Sequence, residues 1–363
     1  MSAVSFKFIL LQIFIIIPFV CGSWLRGHLL NPDIWNKRLI RFTLISLEPL
    51  FAIWVVWGLE LNRNHILLPP AGFVLVLLGL LGGFLILKLL PTESGPDGYS
   101  VNESNEPKSD SIASEKNHRL TFYISSSLSN HGFTLGGFLC FLLLGEEGLA
   151  LSYIMLVYFY PYVFLVVFPL ARLSGQQPES DLIAADLTPE ETRLRRRRKI
   201  REAFLSWNHL PLYGALLALA LRAMGFERPQ YDRQMEERVL ESMLFVAVVL
   251  YYFSLGLAFS AGAFWRYRGD LLRLCLVKFL FVPIVVWLVL FGIDAIWSVS
   301  ASVANVILIE AVTPAAIYSV IAAVLYGLKR ELAASLFVGS TVIFLILIVP
   351  FLYVLRSLYL WGM

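Results

Sequence analysis

Two long apolar runs of this chain contain polar and helix-breaking residues near their middle. Asn130, Gly132 and Gly136 lie in one run, and Thr313 and Pro314 lie in the other. Glycine exposes the backbone, and proline leaves the carbonyl one turn earlier without its donor, so both runs are predicted to be broken helices. The N-terminus of a half-helix offers unpaired N–H groups and a positive partial charge. The two breaks are therefore predicted to bind an anion.

The composition of the chain is that of a membrane protein. Of its 363 residues, 58% are hydrophobic and 15% are charged, whereas soluble domains carry about 25% charged residues. This composition excludes a soluble enzyme, a nucleic-acid-binding protein and a disulfide-stapled secreted module. Because the apolar runs do not alternate as barrel strands do, the predicted fold class is an all-α polytopic membrane protein in the lipid bilayer.

Ten apolar segments are long enough to cross a bilayer, which takes about 20 residues per helix. The first is expected to be a retained helix and not a signal peptide, because no convincing cleavage site follows it. The predicted spans are 5–24, 39–58, 67–90, 120–144, 149–172, 209–226, 239–263, 272–293, 298–326 and 332–357.

Lysine and arginine residues predict the orientation of these spans. Cytoplasmic loops are enriched in both, and one arrangement places about three times as many of them inside as outside. It predicts that both termini lie outside and that the loop 174–208 is cytoplasmic, in the plasma membrane (the inner membrane of the cell). Glu146 and Glu147 then fall in a short outer turn, where they are expected to be solvated.

Two loops are long and polar. Residues 91–118 are rich in Ser, Asn, Pro, Gly and Glu, and this composition predicts a disordered tether because it cannot bury a core. In the linker 174–208, Thr188 followed by Pro and Glu predicts a helix start, which leads into the basic segment 193–201. This helix is interpreted as an anchor at the lipid surface, with a regulatory or partner-binding helix as the alternative.

The two halves of the chain echo each other in order and spacing. Leu144-Gly145 in the first half corresponds to Tyr326-Gly327 in the second, for example. Five spans per half is an odd number, so the second half must enter the membrane from the opposite side. We therefore predict two inverted five-helix repeats, over 1–173 and 209–363, with discontinuous helices that cross as in many secondary transporters.

One motif is specific, namely Asn130-His-Gly132-Phe133-Thr-Leu135-Gly136 followed by Gly145. Weaker matches are Pro49, Pro314, Tyr326-Gly327 and Leu332-Ala333. With these residues nearly the whole chain resembles the auxin efflux carrier family, which includes plant auxin exporters and bacterial malate and malonate carriers. Members of that family usually have proline where this sequence has Gly137.

The resemblance implies ten helices in two inverted repeats, with a scaffold formed by spans one, two, six and seven. The remaining spans would form a mobile transport unit, and transport would be elevator-like with the substrate held at the crossing of the broken helices. The resemblance also implies a homodimer formed through the scaffold.

The candidate substrate-binding residues are Asn130, His131, Gly132, Gly136, Glu310, Thr313, Pro314 and Lys278. Several have alternatives. Asn130 could make an interhelical hydrogen bond, and His131 could be a packing residue, a backbone partner or a proton relay. Glu310 is costly to bury and is thus a functional candidate, unless it lies at the outer rim. Lys278 could contact the substrate or a gate, or extend to the inner surface.

Catalytic and metal chemistry is not predicted. The five histidines are scattered without paired spacing, and no phosphate-binding loop is present. Cys21, Cys140 and Cys275 are interpreted as apolar fillers. The chain also lacks the paired aspartates of a sodium/proton antiporter in its crossing spans. We therefore expect a protein that is not an enzyme and has no cofactor.

The favoured hypothesis is a permease, a secondary or facilitative transporter of a small organic anion such as a carboxylate, which works by elevator-type alternating access. The alternative is a membrane receptor or scaffold that reuses the carrier fold without transport, with the basic segment 193–201 as its output.

The orientation can be tested with a single cysteine. In a variant whose three native cysteines are replaced, Arg196→Cys is expected not to react with an impermeant thiol reagent in intact cells, because the basic loop is predicted to be cytoplasmic. It should react after permeabilisation. As the control, Glu227→Cys, in a predicted outer loop, should react in intact cells. Labelling of residue 196 before permeabilisation would show that the orientation is reversed.

Overall fold

The computed structural model describes residues 3–90, 108–132, 135–172, 210–259 and 261–357. The linker 174–208, with its predicted helix start and basic segment 193–201, lies outside the described residues. Within the described ranges every regular element is helical, and the one extended pairing is an isolated bridge between Ser129 and Ala315. The all-α prediction is confirmed for this part of the chain.

Helical residues coincide with each of the ten predicted spans. The α-helices are Ala3–Arg26, Pro32–Phe42, Glu48–Gly58, Leu68–Leu89, Lys108–Ser127, Gly136–Met155, Phe159–Tyr162, Phe168–Arg172, Leu210–Ala223, Arg233–Ala258, Ala261–Arg266, Arg268–Leu276, Val282–Asp294, Ala301–Ala311, Ile317–Leu325, Arg330–Ile343 and Val349–Ser357. The 3-10 segments are Arg63–Leu67 and Leu156–Tyr158, and the π-helical segments are Thr43–Leu47, Val163–Val167, Val277–Phe281 and Phe344–Ile348.

Five of the described helices are long and apolar enough to cross a membrane. By length and composition they are Arg63–Leu89, Gly136–Tyr158, which is interrupted at Gly145, Gln234–Ala258, Arg268–Asp294 and Arg330–Leu352. Shorter apolar helices are Ile15–Arg26, Ile45–Gly58, Leu210–Ala223 and Ala301–Ala311. The chain is thus an integral membrane protein by length and composition of its helices, and the number of ten spans stays a prediction.

The prediction of a disordered tether over 91–118 is wrong for residues 108–118, which are helical. The polar end of this helix is held by tertiary contacts. His118 Nε2 lies 3.0 Å from Asp270 Oδ2, and both side chains are buried. The prediction considered only the composition of the segment itself. A polar residue can be buried when another element supplies its hydrogen-bond or ion-pair partner. Residues 91–107 lie outside the described residues.

The chain divides into two compact units. The first contains Met1–Leu61, Gly132–Ile154 and Arg198–Phe259, and the second contains Asn62–His131, Met155–Arg197 and Ser260–Met363. Each unit draws on both predicted sequence repeats, because helices far apart in the sequence pack against each other. The two predicted repeats therefore contribute to both compact units.

Close helix packing through glycine characterises the first unit. Helix Ala3–Arg26 lies along helix Arg233–Ala258. A Cβ atom on Gly256 would lie 2.8 Å from the Ser23 nitrogen, and one on Gly22 would lie 3.0 Å from the Phe253 carbonyl carbon. Small residues allow two backbones to approach, which is the usual basis of helix association where lipid removes the hydrophobic driving force.

Arg228 connects three segments of the first unit. Its Nη2 lies 2.8 Å from Glu236 Oε1, and its Nη1 donates to the Trp54 carbonyl oxygen at 3.1 Å. The guanidinium stands over the Trp54 ring at 4.9 Å and also pairs with Glu146. Glu146 therefore has an ion-pair partner, whereas the sequence predicted that it is solvated. A Cβ atom on Gly58 would collide with the guanidinium, so this glycine makes room for it.

The second unit is built around two apolar clusters. One includes Leu120, Ile124 and Leu128 of the first broken helix, together with Tyr158 and Tyr162. The other consists of Phe122, Tyr267, Leu271, Leu274, Ala315, Leu332 and Leu336. Each cluster contains residues from the two predicted helix breaks or from the helices next to them. The core of this unit therefore surrounds both breaks.

The glycine contact predicts a stability effect. Gly256→Val should lower the Tm of the purified protein by several degrees, because the added side chain forces two packed backbones apart and overpacking costs about 1–3 kcal/mol, at about 2–4 °C for each kcal/mol. Thermal denaturation in detergent measures this. The control is Gly292→Val, also near a helix C-terminus, where nothing lies within 4 Å of the added Cβ. Equal Tm values for the two variants would contradict the packing argument.

Candidate functional site

Two helices of the second unit, one from each half of the chain, are interrupted where the sequence predicts. Helix Lys108–Ser127 ends before the non-helical residues 128–132, which we call the first break. Helix Ala301–Ala311 ends before the non-helical residues 312–316, the second break, and Ile317–Leu325 follows it. Pro314 has no N–H for a helical bond, so the second break lies where proline requires it.

Short half-helices follow both breaks. In helix Gly136–Met155 the backbone leaves helical geometry at Gly145, with φ 77° and ψ −157°. A Cβ atom on Gly148 would lie 2.6 Å from the Cys140 carbonyl oxygen, although eight residues of straight helix span about 12 Å. The chain therefore folds back at Gly145, so the arm before it is about nine residues and ~14 Å long.

The second half-helix, Ile317–Leu325, is 9 residues long, and Gly327 after it has φ 64°. Gly145 lies between the predicted fourth and fifth spans, and that division into spans stays a prediction. A positive φ is easily adopted only by glycine, which explains why both motifs that the sequence matched contain glycine at this point.

The two breaks pair with each other through their backbones. The Asn130 N–H donates to the Pro314 carbonyl oxygen at 2.9 Å, and the Ala316 N–H donates to the Leu128 carbonyl oxygen at 3.0 Å. Ser129 and Ala315 thereby face each other in an antiparallel bridge. We call this pair of breaks the crossover. It satisfies backbone groups that the interrupted helices cannot satisfy themselves.

Lys278 lies at the first break and is 1% exposed. Its Nζ donates to Ser129 Oγ at 2.6 Å, to the Leu128 carbonyl oxygen at 3.2 Å and to the Ser127 carbonyl oxygen at 3.4 Å. The ammonium therefore lies at the C-terminal end of helix Lys108–Ser127, where the helix dipole is negative. It does not extend to the inner surface, which was one of the two predicted alternatives.

His131 connects the first break to the end of helix Ala301–Ala311. Its Nε2 lies 3.1 Å from the Glu310 carbonyl oxygen, and its Nδ1 shares a hydrogen bond with the Tyr158 hydroxyl. A carbonyl oxygen only accepts, so Nε2 is the donor, and Nδ1 of the neutral ring accepts from Tyr158. Of the roles weighed for His131, the geometry shows the backbone partner.

The Glu310 carbonyl oxygen also accepts from Thr313. The Thr313 Oγ1 donates to it at 2.8 Å and the Thr313 N–H at 3.2 Å. The Glu310 side chain is fully buried within the protein. The end of this half-helix is thus closed by one side chain of its own break and by His131 of the other.

Six of the eight predicted residues are joined in this way within the second compact unit. They are Asn130, His131, Lys278, Glu310, Thr313 and Pro314. Gly132 and Gly136 belong to the first unit, where the Gly132 carbonyl oxygen accepts from the Gly137 N–H at 2.8 Å at the start of the half-helix. In the described part of the chain no group of three His, Cys, Asp or Glu side chains could hold a metal ion.

Three residues of the cluster were missed by the sequence reasoning, namely Ser129, Tyr158 and Ser340. Ser129 accepts from Lys278, Tyr158 bonds to His131, and Ser340 Oγ accepts from the Ala315 N–H at 3.3 Å. Ser129 could have been found because it adjoins Asn130. The other two lie in apolar helices without a local signal.

The chain was also compared with known proteins. It matches the family model described as membrane transport protein over residues 72–353, which include both breaks and Lys278. This model is the domain of the auxin efflux carrier family, so the resemblance seen in the sequence is confirmed. No curated protein matches the chain. Because the matched residues make up more than half of its length, the chain belongs to the auxin efflux carrier family of membrane transport proteins.

Proposed function

We propose that this membrane transport protein is a secondary or facilitative transporter of small organic anions, with carboxylates as the substrate class. The observation that carries the proposal is the crossover, in which two broken helices pair through the Asn130 N–H and the Pro314 carbonyl oxygen. Irregular backbone inside a membrane protein is tolerated where it is buried in protein or lines a polar cavity, and broken helices of this kind form substrate sites in secondary transporters.

The charge pattern of the crossover supports an anionic substrate. Helix Ile317–Leu325 begins at the second break, and no side chain caps its N-terminus. An uncapped helix N-terminus favours a negative group. Asn130 is a polar side chain beside this region, and an amide can donate two hydrogen bonds to a carboxylate. The carboxylate of the substrate would bind to this N-terminus and to Asn130.

We propose an elevator-type mechanism for the transport step. Of the proposed scaffold, spans one, two and six and residues 239–259 of span seven fall within the first compact unit, which also contains residues 132–154. The residues that form the two crossover hydrogen bonds lie in the second unit. The grouping of the scaffold spans in one unit, apart from the crossover hydrogen bonds, supports a fixed scaffold and a separate part that carries the substrate. The proposal includes a homodimer formed through the scaffold, in the plasma membrane, with both termini outside.

Counterflow in proteoliposomes tests the function directly. Vesicles loaded with an unlabelled anion should accumulate the labelled anion, and the panel should contain dicarboxylates and aromatic acids, with and without a pH gradient. The gradient shows whether protons are coupled to the flux. If every anion of the panel shows neither binding nor flux, the protein is not this carrier, and a receptor or scaffold that uses the carrier fold takes its place.

Asn130 provides the first site-specific prediction. Asn130→Ala keeps the backbone bond to Pro314 but removes the amide, so counterflow should fall roughly ten-fold or more, as expected when a hydrogen bond to a charged group worth about 1.5–3 kcal/mol is lost. Asn130→Asp has the same shape and adds a negative charge, so it should abolish anion flux. Asn31→Ala, at an exposed position, is the control. Unchanged flux in Asn130→Asp would exclude anion binding at this residue.

Pro314 provides the second site-specific prediction. Pro314→Ala restores an N–H and raises helix propensity by about 3 kcal/mol, which favours a continuous helix over the break. Transport should therefore be lost while the Tm stays equal or rises, as measured by counterflow and thermal denaturation of one preparation. Pro350→Ala, in the last helix, is the matched control. Full transport in Pro314→Ala would mean that proline is not required for the break.

A further inference from the structure

We propose that the Lys278 ammonium is the built-in cation of the crossover, and that it fills a place where an alkali metal cation would otherwise bind. The first break then needs no bound Na⁺ or K⁺ to keep its shape. The consequence for transport, a flux independent of Na⁺, rests on the proposed function. The assignment of the Lys278 ammonium to a cation-binding position does not depend on that function.

Three protein oxygens surround the Lys278 ammonium. An ammonium has three N–H donors, and three oxygens surround this one, Ser129 Oγ, the Leu128 carbonyl and the Ser127 carbonyl. The oxygens come from consecutive residues where the helix unwinds. Two carbonyls and a hydroxyl, all uncharged oxygens, are ligands suited to a hard monovalent cation as well as to an ammonium.

These oxygens lie at the C-terminal end of a half-helix. The last carbonyls of a helix have no intrahelical donor and carry the negative end of the helix dipole. In transporters with broken helices, unwound carbonyls and the C-terminal ends of half-helices are the groups that coordinate the coupling Na⁺ or H⁺. Lys278 Nζ occupies that position at the end of helix Lys108–Ser127.

The packing around Lys278 holds its side chain inside the protein. It is 1% exposed and lies in the π-helical segment Val277–Phe281. Helix Leu68–Leu89 approaches this segment so closely that a Cβ atom on Gly82 would lie 2.8 Å from Val277 Cγ1. A long charged side chain that could reach water would extend to it. Here the packing directs the ammonium into the protein, to the break.

The same geometry distinguishes a positioning residue from a substrate ligand. The three N–H donors of Lys278 point to three protein oxygens at 2.6–3.4 Å. A substrate carboxylate would have to displace one of them. We therefore assign Lys278 to the shape of the first break, and we assign substrate contact to Asn130 and the second half-helix.

Thermal denaturation of the purified full-length protein in detergent tests the proposal without any transport assay. Wild type and Lys278→Ala are compared in chlorides of Li⁺, Na⁺, K⁺ and N-methylglucamine at equal ionic strength. The wild-type Tm should not depend on the cation. Lys278→Ala should melt several degrees lower in N-methylglucamine and recover at least half of that loss with Na⁺ or K⁺, saturably with concentration.

The control is Lys88→Ala, which removes an exposed lysine from a neighbouring helix of the same unit. It should show neither the loss nor the cation-dependent recovery. Three results would overturn the proposal: a wild-type Tm raised specifically by Na⁺ or K⁺, a Lys278→Ala variant as stable as wild type, or a destabilised variant that no alkali cation rescues.

If Lys278→Ala does not fold, Ser129→Ala keeps the proposal testable. It removes the nearest oxygen but leaves the ammonium, so its Tm should drop moderately and show no dependence on the cation; a drop that Na⁺ reverses would overturn the assignment. In proteoliposomes, wild-type counterflow should be equal in Na⁺ and N-methylglucamine. Absence of all flux would refute the proposed function, whereas flux that requires Na⁺ would refute the built-in cation.

Discussion

Two backbone hydrogen bonds, from Asn130 to Pro314 and from Ala316 to Leu128, join the interrupted helices of the two halves. A helix broken inside a membrane leaves N–H and C=O groups without partners, and lipid offers none, at a cost of several kcal/mol for each group. Each break supplies donors and acceptors to the other. The site can therefore be irregular without leaving these groups unpaired, and the core of the second unit is packed around this pairing.

The two half-helices that lead into the crossover are closed by side chains from elsewhere in the chain. Lys278 donates to the end of helix Lys108–Ser127, and His131 donates to the end of helix Ala301–Ala311. Both contacts satisfy terminal carbonyls that the helix cannot satisfy. The half-helices that lead away are also alike, since a glycine with positive φ follows each one, at Gly145 and Gly327. This likeness is what the weak sequence echo between the halves reflects.

Charged residues outside the crossover serve the packing of each unit. Arg228 is held by Glu236, Glu146 and Trp54 in the first unit, and His118 lies against Asp270 in the second. Arg228, Glu146 and Glu236 are partly buried and His118 and Asp270 are buried, and each has a partner from another segment, as burial requires. None of these pairs was expected, because the partners are far apart in the sequence; Glu146 and Arg228, for example, are 82 residues apart.

The sequence by itself determined the helical membrane class, the positions of both breaks and six residues of the cluster. Those features depend on composition and on local chemistry, because apolar length, glycine and proline act within a few residues. Only the tertiary structure decided where Lys278 points, that His131 bonds to the Glu310 carbonyl, and that residues 108–118 are helical. Each of these features depends on a partner that is distant in the chain. Only the packing of the helices determines whether a polar group contacts lipid, water or a protein oxygen.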